Sequence, residues 1–132
     1  MIAHDATVPG NKRQNCHAER ANGIVQVGAR ALMLQAGLPA PFWPYAIEYY
    51  CLSYNLQSRG GEQSPWQKRF GTEFLAPMLA FGSTVHYMPQ PNSCVFRPKM
   101  DMPTKIGIYL GYVRKAGDDY GDISRVCPLS EL

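Results

Sequence analysis

Asn15-Cys16-His17-Ala18-Glu19-Arg20-Ala21-Asn22-Gly23-Ile24-Val25-Gln26-Val27-Gly28-Ala29-Arg30-Ala31-Leu32-Met33-Leu34-Gln35-Ala36-Gly37 is the stretch on which the reading of this chain turns. Its apolar residues Ile24, Val27, Ala31 and Leu34 recur at intervals of three and four, the spacing of one helix face. Glu19, Gly23, Gln26 and Arg30 fall on a neighbouring polar face. Asn15 is a residue type that caps helix starts, and Gly37 followed by Pro39 is a stop signal. The pattern predicts a helix from Asn15 to Gly37 that buries the Ile24–Leu34 stripe.

On the N-terminal side, Ile2 to Val8 reads as a strand end, and Pro9-Gly10-Asn11 breaks it. On the C-terminal side a second helix is expected from about Pro44 to Leu56, with Ile47, Tyr50 and Tyr54 at core-compatible spacing. Ser58-Arg59-Gly60-Gly61 is a loop. Ser64-Pro65 opens a short helix, serine at the cap and proline in the first turn, that ends at Phe70-Gly71. Beyond Phe74 the texture changes to strands at Thr84–Tyr87, Ile106–Tyr112 and Ile123–Val126. Loop-prone Pro89–Pro103 and a turn over Gly117–Gly121 separate them. The expectation is an α+β chain, helical over 1–74 and small all-β over 75–132.

With 132 residues, 45% hydrophobic and 17% charged, the chain has the make-up of one domain, or one small domain with an appendage, and is not a disordered tail. Its most apolar stretch, Ala40–Leu56, is short and holds Pro41, Pro44 and Glu48, so no membrane span is expected. Met1–Gly10 carries His4, Asp5 and Pro9 and does not resemble a secretory leader, which points to a nuclear or cytoplasmic protein. The net charge of +3 is unevenly spread: Arg97, Lys99, Lys105, Arg114 and Lys115 make a basic stretch, and an acidic tail with Asp118, Asp119, Asp122 and Glu131 follows. Cys16, Cys51, Cys94 and Cys127 form no C-x-x-C pair and are expected to be reduced thiols. No phosphate-cradling glycine loop is present. A calcium loop starting at Asp118 would need glycine and glutamate where Ile123 and Leu129 stand. Cys16 and His17 are neighbours that diverge by about 100° on a helix, a poor nucleophile–base pair. Trp43 and Trp66 are read as core anchors.

Several stretches carry a resemblance. Ile2-Ala3-His4 leading through Pro9 to Gln14-Asn15-Cys16-His17-Ala18-Glu19-Arg20-Ala21-Asn22 resembles the end of the integrase core of copia-type retrotransposons. Ala29 to Pro39, Phe42-Trp43 with Ala46, Ser64-Pro65 with Phe70-Gly71, Phe81-Gly82-Ser83 and Gly107-Ile108-Tyr109-Leu110-Gly111-Tyr112 resemble that family's later motifs, in its order. The resemblance implies the last helices of a ribonuclease-H-like catalytic core followed by an SH3-like β-barrel. It also implies DNA integration by polynucleotidyl transfer at Mg²⁺ or Mn²⁺, which two aspartates and a glutamate hold in the intact family. Glu19 matches the glutamate, as catalytic residue and metal ligand. Lys12, Arg13, Asn15, Arg20 and Arg30 are the implied DNA contacts, to phosphates and without sequence preference. Arg97, Lys99, Lys105, Arg114 and Lys115 would add weak, salt-sensitive binding. Further partners would be the remainder of a Pol polyprotein or a second copy of the chain.

The sequence also departs from the family pattern. Both aspartates lie on earlier strands of the core, and 18 residues precede Glu19 here. Cys16 replaces a loop glycine, Lys12 and Arg13 replace proline and glutamine, and Gly23 stands where arginine is common. The expectation is a truncated piece or drifted remnant that binds metal weakly, does not catalyse alone and retains nonspecific DNA binding. The alternative is a domesticated or leftover protein-interaction module without a DNA role.

Overall fold

No proline interrupts Cys16 to Ala36, and the first helix, α1, spans them. A computed structural model of the chain describes residues 15–89, 100, 102–115 and 120–132. The expected strand end at Ile2–Val8, most of the Pro89–Pro103 loop, and Lys12, Arg13, Cys94, Arg97 and Lys99 lie outside the described residues. α1 stops as expected. Gly37 takes the left-handed conformation (φ 64°), and the N–H groups of Gly37 and Leu38 donate to the Leu34 and Met33 carbonyls, both at 3.3 Å. Its start differs from expectation, because the Asn15 side chain makes no capping hydrogen bond.

A 3-10 turn at Ala40–Phe42 leads into α2, Trp43–Leu56. Helix α3, Pro65–Phe70, begins with a reciprocal cap: the Gln67 N–H donates to Ser64 Oγ at 3.2 Å, and the Ser64 N–H donates to Gln67 Oε1 at 3.0 Å. Three strands follow, β1 (Thr84–Tyr87), β2 (Lys105–Arg114) and β3 (Tyr120–Pro128), forming an antiparallel sheet in the order β1-β2-β3. Thr84 pairs with Ile108, and Ile108 pairs with Cys127. β3 is longer than Ile123–Val126 because pairing along β2 holds residues that have no strong strand signal of their own.

β2 is the central strand, and its register against β3 slips between Tyr109 and Gly111. Gly111 sits there at φ 113°, a conformation other residues rarely adopt. The slip breaks the two-residue alternation, so Tyr109, Leu110 and Tyr112 are all buried. Leu110 packs with Ala29, Ala46 and Phe81, whereas Tyr109 and Tyr112 pack with Leu52. Both clusters join helices to the sheet and so cross the 74/75 boundary. Glu48 on α2 reaches Arg125 on β3 at 2.8 Å, a further tie between the two segments.

The core-facing side of α1 is not the predicted one. Ile24, Val27 and Leu34 are 42%, 66% and 78% exposed, and Ala31 is exposed as well. Ala29 is buried instead, with Leu32, Met33 and Ala36 packed around it. The reason is close approach: at Gly28 the ring of Tyr50 from α2 occupies the space a Cβ would take, 2.1 Å from that position. Small residues admit the neighbouring helix, and Ile24, Val27 and Leu34 are left on the far side. The described residues thus make an α+β architecture. None of their helices is long and apolar enough to cross a membrane.

Candidate functional site

Glu19 lies in the first turn of α1 with its side chain exposed. A helix turns about 100° per residue, so Arg30, eleven positions on, returns to within about 20° of the same direction, roughly 16 Å further along the axis. Arg20 points about 100° away from Glu19. Asn15, Arg20 and Arg30 are exposed. Glu19 and Arg30 therefore share one face of a rigid element, and Arg20 serves another. The remaining implied DNA contacts, Lys12 and Arg13, lie outside the described residues.

The described residues include no group of three His, Cys, Asp or Glu side chains placed to hold a metal ion. One exposed carboxylate does not fit Mg²⁺, which needs near-octahedral oxygen ligands, and we derive no metal-dependent step from Glu19 alone. The described basic residues of the 97–115 stretch are dispersed. Lys105 opens β2 and Arg114 closes it, about 30 Å apart along an extended strand. Among the described residues of that stretch, Arg114 and Lys115 are adjacent.

Arg30 does line a groove. It runs between α1 and the start of α2, encloses about 480 Å³, and its walls are otherwise mostly apolar, including Met33, Leu34, Trp43 and Ile47. Trp43 is 59% exposed there, so it is a groove wall and not the core anchor its residue type suggests. Trp66 is an anchor. Its ring lies 4.3 Å from Phe70 and 5.2 Å from Phe74. Cys16, Cys51 and Cys127 are free thiols. Burial pushes the Cys51 thiol above its usual pKa, and the positive field of Arg114 partly offsets that rise.

A second cleft, unforeseen in the sequence, lies between α2, α3 and the end of β2, with a volume of about 280 Å³. It brings Arg69 of α3 and Arg114 of β2 to one opening beside Asn55, Trp66 and Phe70. Arg69 and Arg114 are 45 positions apart in the chain, and no local pattern links them.

The geometry so far defines a small α+β protein with an exposed helix carrying one carboxylate and two arginines. Over 54 residues, 41% of its length, the chain is 37% identical to the retrovirus-related Pol polyprotein from transposon TNT 1-94 of Nicotiana tabacum. It spans about 4% of that polyprotein's length. No family model matches the chain, and no solved structure matches it.

Proposed function

We propose that the chain derives from the integrase region of a copia-type retrotransposon Pol polyprotein and retains nonspecific binding to DNA phosphates. On this reading residues 1–74 correspond to the end of a ribonuclease-H-like core and 75–132 to an SH3-like β domain. The observation that carries the proposal is the partial identity to a Pol polyprotein. The exposed first turn of α1 supports it, because Glu19 there is free to join carboxylates supplied by other parts of an assembled core. Arg20 and Arg30 offer guanidinium groups to phosphates, contacts that position DNA without reading sequence.

The test is a salt titration of binding to an arbitrary labelled duplex by fluorescence anisotropy. Affinity is expected to fall linearly on a log–log scale, and the Arg20→Ala, Arg30→Ala double variant should flatten the slope by about 2, roughly 0.9 per lost phosphate contact. Absence of binding at low salt would refute retained DNA contact. No strand transfer is expected of the isolated chain; Mg²⁺-dependent joining of DNA ends that disappears in Glu19→Gln would overturn that expectation.

A second reading, a protein-interaction module without a DNA role, is favoured by the exposed stripe of Ile24, Val27, Ala31 and Leu34 opposite the core face of α1. A helix that is apolar on two opposite sides is ordinarily covered on both. Self-association that rises with concentration in sedimentation runs, and is lost in Val27→Lys, Leu34→Lys, would support this reading. A monodisperse monomer that binds duplex would count against it.

A further inference from the structure

We propose that two copies of this chain pair through α1, antiparallel about a two-fold axis, so that Glu19 of each copy meets the partner's Arg30 while Ile24, Val27 and Leu34 are covered between them. This pairing rests on the interaction reading above and gives it a partner and a geometry. Exposed apolar residues alone do not say what covers them. The charges flanking them do. Within Cys16–Ala36 there is one acid, Glu19, and there are two arginines, Arg20 and Arg30. Glu19 and Arg30 are exposed on one helix face, yet roughly 16 Å of helix separates them, too far for the two to meet within one chain.

An antiparallel copy removes that separation. A two-fold axis crossing α1 midway between Glu19 and Arg30, at the level of Ile24 and Val25, brings each Glu19 level with the partner's Arg30. It also puts both on the same flank of the contact, so two equivalent ion pairs form. Arg20, about 100° round the helix from Glu19, falls on the opposite flank, away from the partner's Arg30. An in-register parallel pair would leave each Arg30 roughly 16 Å along the axis from the partner's Glu19.

The apolar residues fall inside the same frame. Val27 points about 60–80° from the direction of Glu19 and Arg30, into the space between the helices, and Ile24 lies about 60° further round. Because Ile24 is next to the axis, it meets the partner's Ile24. Leu34 comes level with the partner's Asn15 and Cys16. These three side chains are the large apolar residues of α1 that the fold leaves exposed, and an antiparallel helix pair gives each of them a neighbour. A contact made by one helix per copy is small for a specific interface, so a dissociation constant of roughly 10–100 μM is expected.

The test is sedimentation equilibrium at low salt, where exposed ion pairs are least screened. Glu19→Arg alone sets arginine against Arg30 at both contacts, and Arg30→Glu alone sets acid against Glu19 at both. Each is expected to weaken self-association about tenfold. An equimolar mixture of the two variants restores opposite charges at both contacts and should associate within about threefold of the parent. The parent carries a net charge of +3 and both variants stay net positive, so overall charge does not draw them together. The chain with both substitutions should again pair with itself, and circular dichroism reports that each variant keeps its helices. Single variants that associate as the parent does, or a mixture no tighter than either variant alone, overturn this geometry. Loss of association in Val27→Lys, Leu34→Lys would then leave the interaction reading standing without it. A parent that stays monomeric at millimolar concentration overturns the pairing and removes its support from that reading as well. No nucleic acid is present, so these outcomes are independent of duplex binding.

Discussion

At Gly28 an added Cβ would lie 2.1 Å from the Tyr50 ring, whereas at Gly23, five residues earlier in the same helix, no atom lies within 4 Å. Gly28→Ala is therefore expected to force Tyr50 out of its seat and cost about 1–3 kcal/mol. Gly23→Ala should stabilise the protein by about 1 kcal/mol, because it removes only a helix-interior glycine. Urea denaturation of the two variants checks both signs. Tyr109 poses a different problem. Its hydroxyl is buried beside that of Tyr112, which donates its own proton to the Pro77 carbonyl at 2.6 Å, and the Tyr109 hydroxyl makes no hydrogen bond of normal geometry. Burial first, and then the neighbouring hydroxyls of Tyr112 and Tyr49, raise its pKa. Burial raises that of Tyr49 as well. A raised phenol favours the neutral form in the fold, so stability is intact below the ordinary tyrosine value near 10 and falls as the pH climbs above it. Urea midpoints should hold from neutral pH to about 9 and decline beyond about 10. Tyr109→Phe should be close to neutral at pH 7, within about 1 kcal/mol, and should make the alkaline decline shallower.

Among the elements, α3 is short and depends on its ends. Ser64→Ala removes the reciprocal cap and is expected to cost about 1 kcal/mol, read from the same denaturation curves. The bounds of α3 and β1 were legible in the sequence because their signals are local: serine-proline ahead of the helix, glycine behind it, and a four-residue run of strand formers. The extent of α1 was legible for the same reason, but its buried side was not. Hydrophobic periodicity marks Ile24, Val27, Ala31 and Leu34, yet the choice of face was made by how closely α2 could approach, and that favours Gly28, Ala29 and Ala36. Asn15 looked like a cap by residue type and does not act as one. The length of β3 depends on its partner strand and is not written in its own residues.

For the molecule as a whole, the α+β make-up was readable from the change of texture after Phe74, while the interpenetration of the two segments was not. Leu52 with Tyr109, and Ala46 with Leu110, are pairings between distant parts of the chain that only the fold creates. The candidate site divides in the same way. Glu19, Arg20 and Arg30 were found through family motifs, and the structure adds which of them share a helix face. The Arg69–Arg114 cleft could not be found, since it exists only once α3 meets the end of β2. The location of β2 late in the chain also bears on synthesis. Until Lys105–Arg114 has left the ribosome, the sides of α2 that hold Ala46 and Leu52 have nothing to close against. The nascent helices must wait, exposed, through the translation of some fifty residues beyond Leu56, and a polypeptide released within that interval would be a substrate for chaperones and proteases instead of a shorter folded protein.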